Sequence, residues 1–538
     1  MSELGNASFP SSVERIAVVN GRVWTGDDQR PWAEAFVVEN GRFNSVGSSA
    51  ETMKRSKGAR IVDAKGMLVV PGFIDAHIHF LMGGFGLASV QLRDASTKAE
   101  FTKRVGEFAA KQPTGTWIRN GDWDHELWGG ELPTREWIDA VTPNHPVWVN
   151  RLDVHMALAN SVALRAAGIT RATEDLAGGT IVRDAQGEPT GVLKDNAQTL
   201  MERVLPSPTA DQQDAALDAA MRFVATHGVT SVHHMGTWDD LTVFERARAA
   251  NRLATRIYAA VPIDTWERLR DRVAASGRGD DRLRVGALKG FVDGSLGSHT
   301  AAMFEAFDDE PANSGLFVND PEDLHDWVEG ADASGLHLII HAIGDLAIRT
   351  QLDIYEKVIE DNPPRERRFR IEHAQHLTAQ DVARFDELGV IASMQPYHAF
   401  DDGRWAERVI GQERAKLTYA TRSLLDAGAR VAFGSDWPVA PPSPLEGIYA
   451  AVTRRTLDGK NPDGWIPSQK ITVEQALRAY TRDAAYASFE ERDKGAIERG
   501  KLADFAIIDR DITQITPEEI RDARVVLTAV GGRVVFER

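Results

Sequence analysis

The chain has 538 residues, 43% of them hydrophobic and 26% charged, with 62 basic against 79 acidic side chains, a formal charge of −17 and no cysteine. That composition is globular, and its lack of Cys excludes disulfides, thiolate nucleophiles and Cys-held metal, leaving any metal to His, carboxylate or a less usual donor. An acidic chain without a run of Lys or Arg is a poor binder of nucleic acid or of an anionic membrane surface.

The N-terminus, MSELGNASFPSSVERIAVVNG, lacks the basic start and apolar stretch of a signal peptide. No apolar run approaches the ~18 residues of a membrane span. The expectation is a cytoplasmic protein with no membrane partner. Residues 15–70 read as β-structure: short β-branched runs such as Arg15-Ile16-Ala17-Val18-Val19 end at Asn20-Gly21 and Asn40-Gly41, which are hairpin signals. The middle of the chain supplies eight apolar runs expected as strands, at 73–79, 230–235, 256–261, 285–293, 337–344, 370–376, 390–395 and 431–436. Helical stretches between them carry clear start signals, among them Asp320-Pro321, Ser443-Pro444-Leu445-Glu446 and Thr472-Val473-Glu474-Gln475. Eight strand–helix units predict an α/β fold, a closed (β/α)₈ TIM barrel with its chemistry at the C-terminal strand ends. Residues from about 82 to 210 break that rhythm and read as an aromatic-rich insertion after strand one. Strand-like runs return at Ala503–Asp509, Val525–Val530 and Val534–Phe536. The predicted organisation is a composite β-sandwich domain from residues 1–70 and 490–538, and a barrel domain over residues 71–489.

Within Asp75-Ala76-His77-Ile78-His79 the strand period of two places His77 and His79 on one face, at the barrel mouth. His341 ends the run Leu338-Ile339-Ile340, His373 follows Arg370-Ile371-Glu372, and Asp436 ends Val431-Ala432-Phe433-Gly434-Ser435. Five such groups on one rim suggest a metal site; neutral imidazole suits zinc and similar ions. Lys289 sits inside the apolar strand-four run. Such an amine either pairs with an acid such as Asp293, or loses its charge and reacts with CO₂ to give a carbamate, a carboxylate-like ligand able to bridge two ions.

With Pro71-Gly72-Phe73-Ile74-Asp75-Ala76-His77-Ile78-His79, Asp293-Gly294-Ser295-Leu296-Gly297-Ser298, His341-Ala342-Ile343-Gly344-Asp345, Gly434-Ser435-Asp436-Trp437-Pro438 and Gly500-Lys501-Leu502-Ala503-Asp504-Phe505, the chain resembles the amidohydrolase superfamily in its N-substituted formamide deformylase-like branch. The resemblance covers nearly the whole chain. It implies a zinc-bearing barrel, with one or two Zn²⁺ ions. His77 and His79 are assigned to one ion, N6-carboxylated Lys289 to the bridge, His341 and His373 to the other ion, and Asp436 to a ligand that also carries the proton. Lys194, in the insertion, is the competing lysine. His234 stands where this branch often has an acid.

The expected reaction is metal-dependent hydrolysis of a non-peptide C–N bond in an amide, N-formyl or N-acyl amine, or cyclic amide. A lactonase, a phosphoester hydrolase, a metal-assisted isomerase and a catalytically silent regulatory barrel are the alternatives. Asp293 and Glu372 are placed to orient ligands through hydrogen bonds. Asp345 either faces substrate or caps a helix. Trp123, His155, Tyr397, His398 and Trp437 are candidate pocket residues. The expected partner is a small molecule, and a homodimer is the default assembly.

Overall fold

A computed structural model of the protein describes residues 15–538; the reading of the first 14 residues as free of a signal sequence lies outside them. Eight parallel strands form one sheet: β1 (Phe73–Ile78), β2 (Val229–Met235), β3 (Arg256–Pro262), β4 (Leu283–Phe291), β5 (His337–Ala342), β6 (Arg370–His373), β7 (Ile391–Met394) and β8 (Val431–Phe433). Each pairs with the next in chain order. Beyond the last ladder pair, the Asp436 N–H donates to the His77 carbonyl (2.7 Å) and the His79 N–H to the Trp437 carbonyl (2.9 Å), so β8 returns to β1. This is a TIM barrel, and all eight strands expected from the sequence are in it.

Several strands stop short of their expected ends. His79, His376, Gln395 and Asp436 fall outside the ladders. The backbone leaves strand geometry there: His373, Ala374 and Asp436 have φ of 70°, 43° and 61°. Non-glycine residues in this left-handed region are uncommon and strained, and concentrate at functional sites. The helices begin where the sequence places its caps. Thr472 and Gln475 form a reciprocal capping box on helix Val473–Ala479, and Asp320 caps helix Pro321–Ala333 ahead of its leading proline; each such cap contributes ~1 kcal/mol.

The two ends of the chain share a six-stranded sheet, in which Leu68–Pro71 runs antiparallel to Phe505–Ile508. A four-stranded sheet containing Ala35–Glu39 and Arg42–Gly47 shares its apolar core, with Phe36 edge-on to Phe43 and Phe505 at 5.1 and 5.0 Å. A buried ion pair fastens this region to the barrel: Arg256 at the start of β3 donates to both oxygens of Asp504 (2.7 and 3.0 Å). Between β1 and β2 the insertion builds its own five-stranded sheet, including Val147–Asn150, Met156–Ala159 and Pro189–Asp195. Its tryptophans fill that unit's core, with Trp123 and Trp137 on one side of the sheet and Trp148 on the other. No helix among the described residues is long and apolar enough to cross a membrane.

Candidate metal centre and substrate cavity

Strand alternation turns His77, Lys289, His341, Arg370 and Glu372 away from the surrounding helices, so the barrel interior is polar where the strands end. His77 is fully buried, and its Nδ1 bonds Glu372 Oε2. That bond turns Nε2 toward Asp436 Oδ1 and Lys289 Nζ, 3.4 Å from each. His79, one residue past β1, places its Nε2 3.4 Å from the same Asp436 oxygen. His373 spends Nδ1 on Gln395 Oε1 (2.8 Å), and His341 spends Nε2 on the Gly294 carbonyl (2.9 Å). The ring centroid of His373 is 4.9 Å from that of His77 and 4.6 Å from that of His341. His398 stacks on His373 at 6.1 Å and puts Nε2 3.9 Å from Asp436 Oδ2.

Two trios therefore present ligand atoms within 4.8 Å of one another: His77, His79 and Asp436, and His373, His398 and Asp436. Asp436 Oδ1 and His398 Nε2 are buried without a hydrogen-bond partner. Orphaned buried acceptors are rare because each forfeits its solvation. Ligand atoms bonded at ~2.0–2.1 Å to a tetrahedral ion lie about 3.3–3.4 Å apart. The Nε2–Oδ1 separations of 3.4 Å meet that spacing. The donor set and its open valences fit a divalent cation.

The electrostatics agree. Burial first, and then the neighbouring Lys289 amine, hold the His77 imidazole well below the ordinary histidine range. Burial likewise lowers His341 and His373. Each shift favours the neutral imidazole, the state that binds a metal. Burial alone would raise the Asp436 carboxyl, but the His77 and His79 rings beside it prevail and keep it ionised. Burial brings Lys289 down to about 8, with Glu372 and Asp436 pulling the other way.

Glu372 accepts a two-pronged bond from Arg370 (2.8 and 3.0 Å), which also donates to the Ala76 carbonyl, Ser393 Oγ and His233 Nδ1. Arg370 escaped the sequence reading, although its place two residues before Glu372 on one strand put it on the same face. Asp293 accepts backbone N–H bonds from Ala302, Ile343 and Gly344 (2.8–3.0 Å), locking the loops after β4 and β5; it makes no ion pair with Lys289. Asp345 opens helix Asp345–Asp361, whose N-cap is Gly344, and its side chain accepts the Leu346 N–H in the first turn and the Phe304 N–H from the loop after β4. Lys194 donates to the Ser298 carbonyl at 2.8 Å. His234 bonds the Phe80 N–H and Asp240, a tie between β2 and two helix starts.

A cavity of about 200 Å³ opens on the cluster, lined by His79, Lys289 and Asp436 and by His155, Asp195 and Val318. A neighbouring one of about 50 Å³ lies among Arg151, Asp153, His398, Asp402 and Trp405. His155 and His398 thus line cavities as expected of pocket residues. Three expected pocket residues do not. Trp123 is wholly buried in the insertion core, its indole N–H on the Val149 carbonyl, because that unit needs aromatic volume of its own. Tyr397 packs edge-on against Phe400 at 5.5 Å. Trp437 lies against Gly83 and Phe223, where a Cβ on Gly83 would come within 2.3 Å of the indole. Sequence reasoning also missed Arg151, Asp153 and Asp195. They sit on a loop and a strand end of the insertion whose approach to the barrel depends on long-range docking, with no local signal beyond Asp153 and His155 falling in one short segment.

A barrel of this topology with His and Asp converging at its mouth defines a class of hydrolase, and the comparisons name it. Residues 60–536 match the amidohydrolase family, and the chain belongs to that family. It is 42% identical to Protein LONG AFTER FAR-RED 3 of Arabidopsis thaliana, over 97% of this chain and 92% of that protein. It is 32% identical to N-substituted formamide deformylase of Arthrobacter pascens, over 97% of this chain and 98% of that protein. The crystal structure of an uncharacterized metal-dependent hydrolase from Pyrococcus horikoshii superposes with a TM-score of 0.76 at 28% identity, covering 94% of this chain and 99% of that one. The protein is a metal-dependent hydrolase of the amidohydrolase family.

Proposed function

We propose that the protein hydrolyses a non-peptide C–N bond in a small molecule: an amide, an N-formyl or N-acyl amine, or a cyclic amide. One observation carries the reading. Asp436 keeps a buried, unpartnered carboxylate oxygen among His77, His79, His373 and His398, beside a cavity large enough for a small acyl compound. His77, His79 and Asp436 would hold one zinc ion. His341 and His373, with His398 close by, would hold the second, and Lys289 as its carbamate would bridge them. Bound there, zinc supplies a Lewis acid and a water acidified toward neutral pH.

The chain's own groups do the rest. Glu372 fixes the His77 tautomer, and the two-pronged bond from Arg370 holds Glu372 in place. Asp436, ionised and facing the cavity, takes the proton of the attacking water and passes it to the leaving nitrogen. An unprotonated amide nitrogen is a very poor leaving group, so this transfer governs turnover. The barrel spanning residues 71–489 is the catalytic domain in this proposal, and the sheets from residues 1–70 and 490–538 form the second domain.

The test is a panel of N-formyl amines, N-acyl amino acids, cyclic ureides and lactones, assayed before and after chelation and with zinc restored. Turnover of amides that chelation abolishes and zinc returns is the expected result. Turnover confined to lactones overturns the C–N assignment.

A further inference from the structure

Histidines with a structural task set a standard in this molecule. His234 bonds the Phe80 N–H through Nδ1 and Asp240 through Nε2. His337 bonds the Tyr258 hydroxyl and the Arg368 carbonyl. His376 bonds Thr418 and Gln375. Each spends both ring nitrogens on the protein, as buried polar groups must. His77, His341 and His373 of the metal cluster instead spend one nitrogen on the protein and turn the ring to the site; outside the cluster, His233 also leaves its Nε2 unpartnered, but against Arg370 and not beside the cavity.

His155 follows the second pattern, yet it comes from the insertion and belongs to neither ligand trio. Its Nδ1 donates to Asp195 Oδ1 at 2.7 Å, and among the described residues its Nε2 has no partner. The ring lines the cavity that His79, Lys289 and Asp436 bound, and its centroid is 5.0 Å from that of His341. The support behind it is stiff. Asp195 holds a backbone conformation (φ 45°, ψ −126°) that a residue with a Cβ rarely adopts. The Asp195 N–H also donates to the His155 carbonyl at 2.8 Å, so the pair is joined through main chain and side chain at once. On either side the insertion grips the loop after β4: Asp153 accepts the Ser295 and Ser298 hydroxyls, and Lys194 donates to the Ser298 carbonyl. A strained carboxylate that orients one imidazole toward a cavity is hard to explain by packing alone.

We propose that His155, carrying a proton on both ring nitrogens against the Asp195 carboxylate, is a catalytic residue whose Nε2–H donates a hydrogen bond to the acyl oxygen of a substrate in the cavity it shares with Asp436, and that Asp195 is its positioning residue. This rests on the C–N hydrolase reading. As the nucleophile adds, the carbonyl π pair moves onto that oxygen, and a donor fixed beforehand stabilises the growing charge. The substrate class is one whose reacting carbonyl can reach across from the metal cluster to the insertion, namely small acyl or formyl amides.

The experiment uses the full-length, zinc-loaded protein and the variants His155→Ala, His155→Gln, Asp195→Asn and His155→Gln/Asp195→Asn. The readouts are kcat, KM, zinc per chain, and calorimetric binding of N-phenyl methylphosphonamidate, a tetrahedral mimic of the reacting centre. His155→Ala is expected to lower kcat by about 10²-fold, keep KM within about threefold and full zinc, and weaken the probe at least tenfold. His155→Gln, which keeps a donor there, restores most of the loss. Asp195→Asn costs activity in the wild type and nothing further on the His155→Gln background. Turnover of His155→Ala within twofold of wild type with unchanged probe affinity overturns the proposal. So does a loss of zinc in step with activity, which would make His155 a ligand organiser. If the wild type hydrolyses no amide but binds the probe through His155, the C–N reading and the catalytic role fall together, and only the His155 contact to a tetrahedral centre remains. If it neither hydrolyses amides nor binds the probe, both fall.

Discussion

Two sets of buried polar side chains occupy opposite ends of one barrel and are built differently. Toward the N-terminal ends of the strands, Lys494 bonds Ser231 (2.6 Å) and pairs with Glu490 (2.8 Å), while Tyr258, His337 and the Arg368 carbonyl form a chain. At the C-terminal ends, Asp436 and His398 keep buried atoms unpartnered, and Asp436 and His373 sit on left-handed backbone. The lower set is arranged for the fold alone, and the upper one for something the chain does not itself contain. What separates the two is convergence: the upper set gathers its open valences into trios of ligand atoms round Asp436, whereas those of Glu490 and His233 stand singly.

The comparison can be broken by exchanging the expected outcomes. Lys494→Met strands the Glu490 carboxylate, and losing one partner of a buried pair costs about 3–5 kcal/mol. Urea unfolding should show that loss while kcat per folded molecule is unchanged; a kcat defect would tie the lower end to catalysis. Asp436→Asn should leave unfolding stability near wild type and lower kcat by at least ~10²-fold, about 2.7 kcal/mol of barrel-mouth chemistry. Near-normal turnover with metal retained would defeat the proton-carrier role. Glu372→Gln weakens the hold on the His77 tautomer and should reduce zinc affinity about 10–100-fold in competition with a chromogenic chelator; unchanged affinity would make Glu372 a packing residue.

The smallest effect belongs to Lys289. Its folded-state value of about 8 lies below that of an ordinary lysine, so the neutral amine is about one tenth of the population at pH 7 and about half at pH 8. Uptake of ¹³C-bicarbonate as a carbamate carbon signal should therefore rise several-fold from pH 7 to 9. The sign also fixes stability: charging this buried amine disfavours the fold, fully below pH ~8 and not at all above ~10.4. A carbamate signal independent of pH, or absent throughout, removes the bridge.

The barrel was legible because parallel strands buried on both faces are nearly continuous apolar runs, and the polar residue closing each run marked the rim. His77, His79, His341, His373 and Asp436 stand out that way and Lys289 as an amine inside an apolar run; the six lie near one another, and their roles are read by resemblance. The expected strand ends ran too far because left-handed backbone at His373 and Asp436 leaves no mark in hydrophobic periodicity. The substrate side was less readable. His398 stands on a helix after β7, Asp195 is brought in by the insertion's sheet, and Trp123 has the composition of a pocket wall but serves a separate core. Which face an insertion turns to the barrel is set by contacts hundreds of positions apart.

The way the insertion meets the barrel has an evolutionary consequence. It meets the cavity through the segment around Arg151–His155 and through Asp195, gripping the Ser295–Ser298 loop, and is tied to the barrel again by Asp124 and Glu126 through Arg404 and Arg408. Most of that unit is free to drift without disturbing the ions. A lineage can retool what it accepts by exchanging a module, leaving the reaction engine untouched, and a chimera carrying another homologue's insertion on this barrel should inherit the donor's substrate preference.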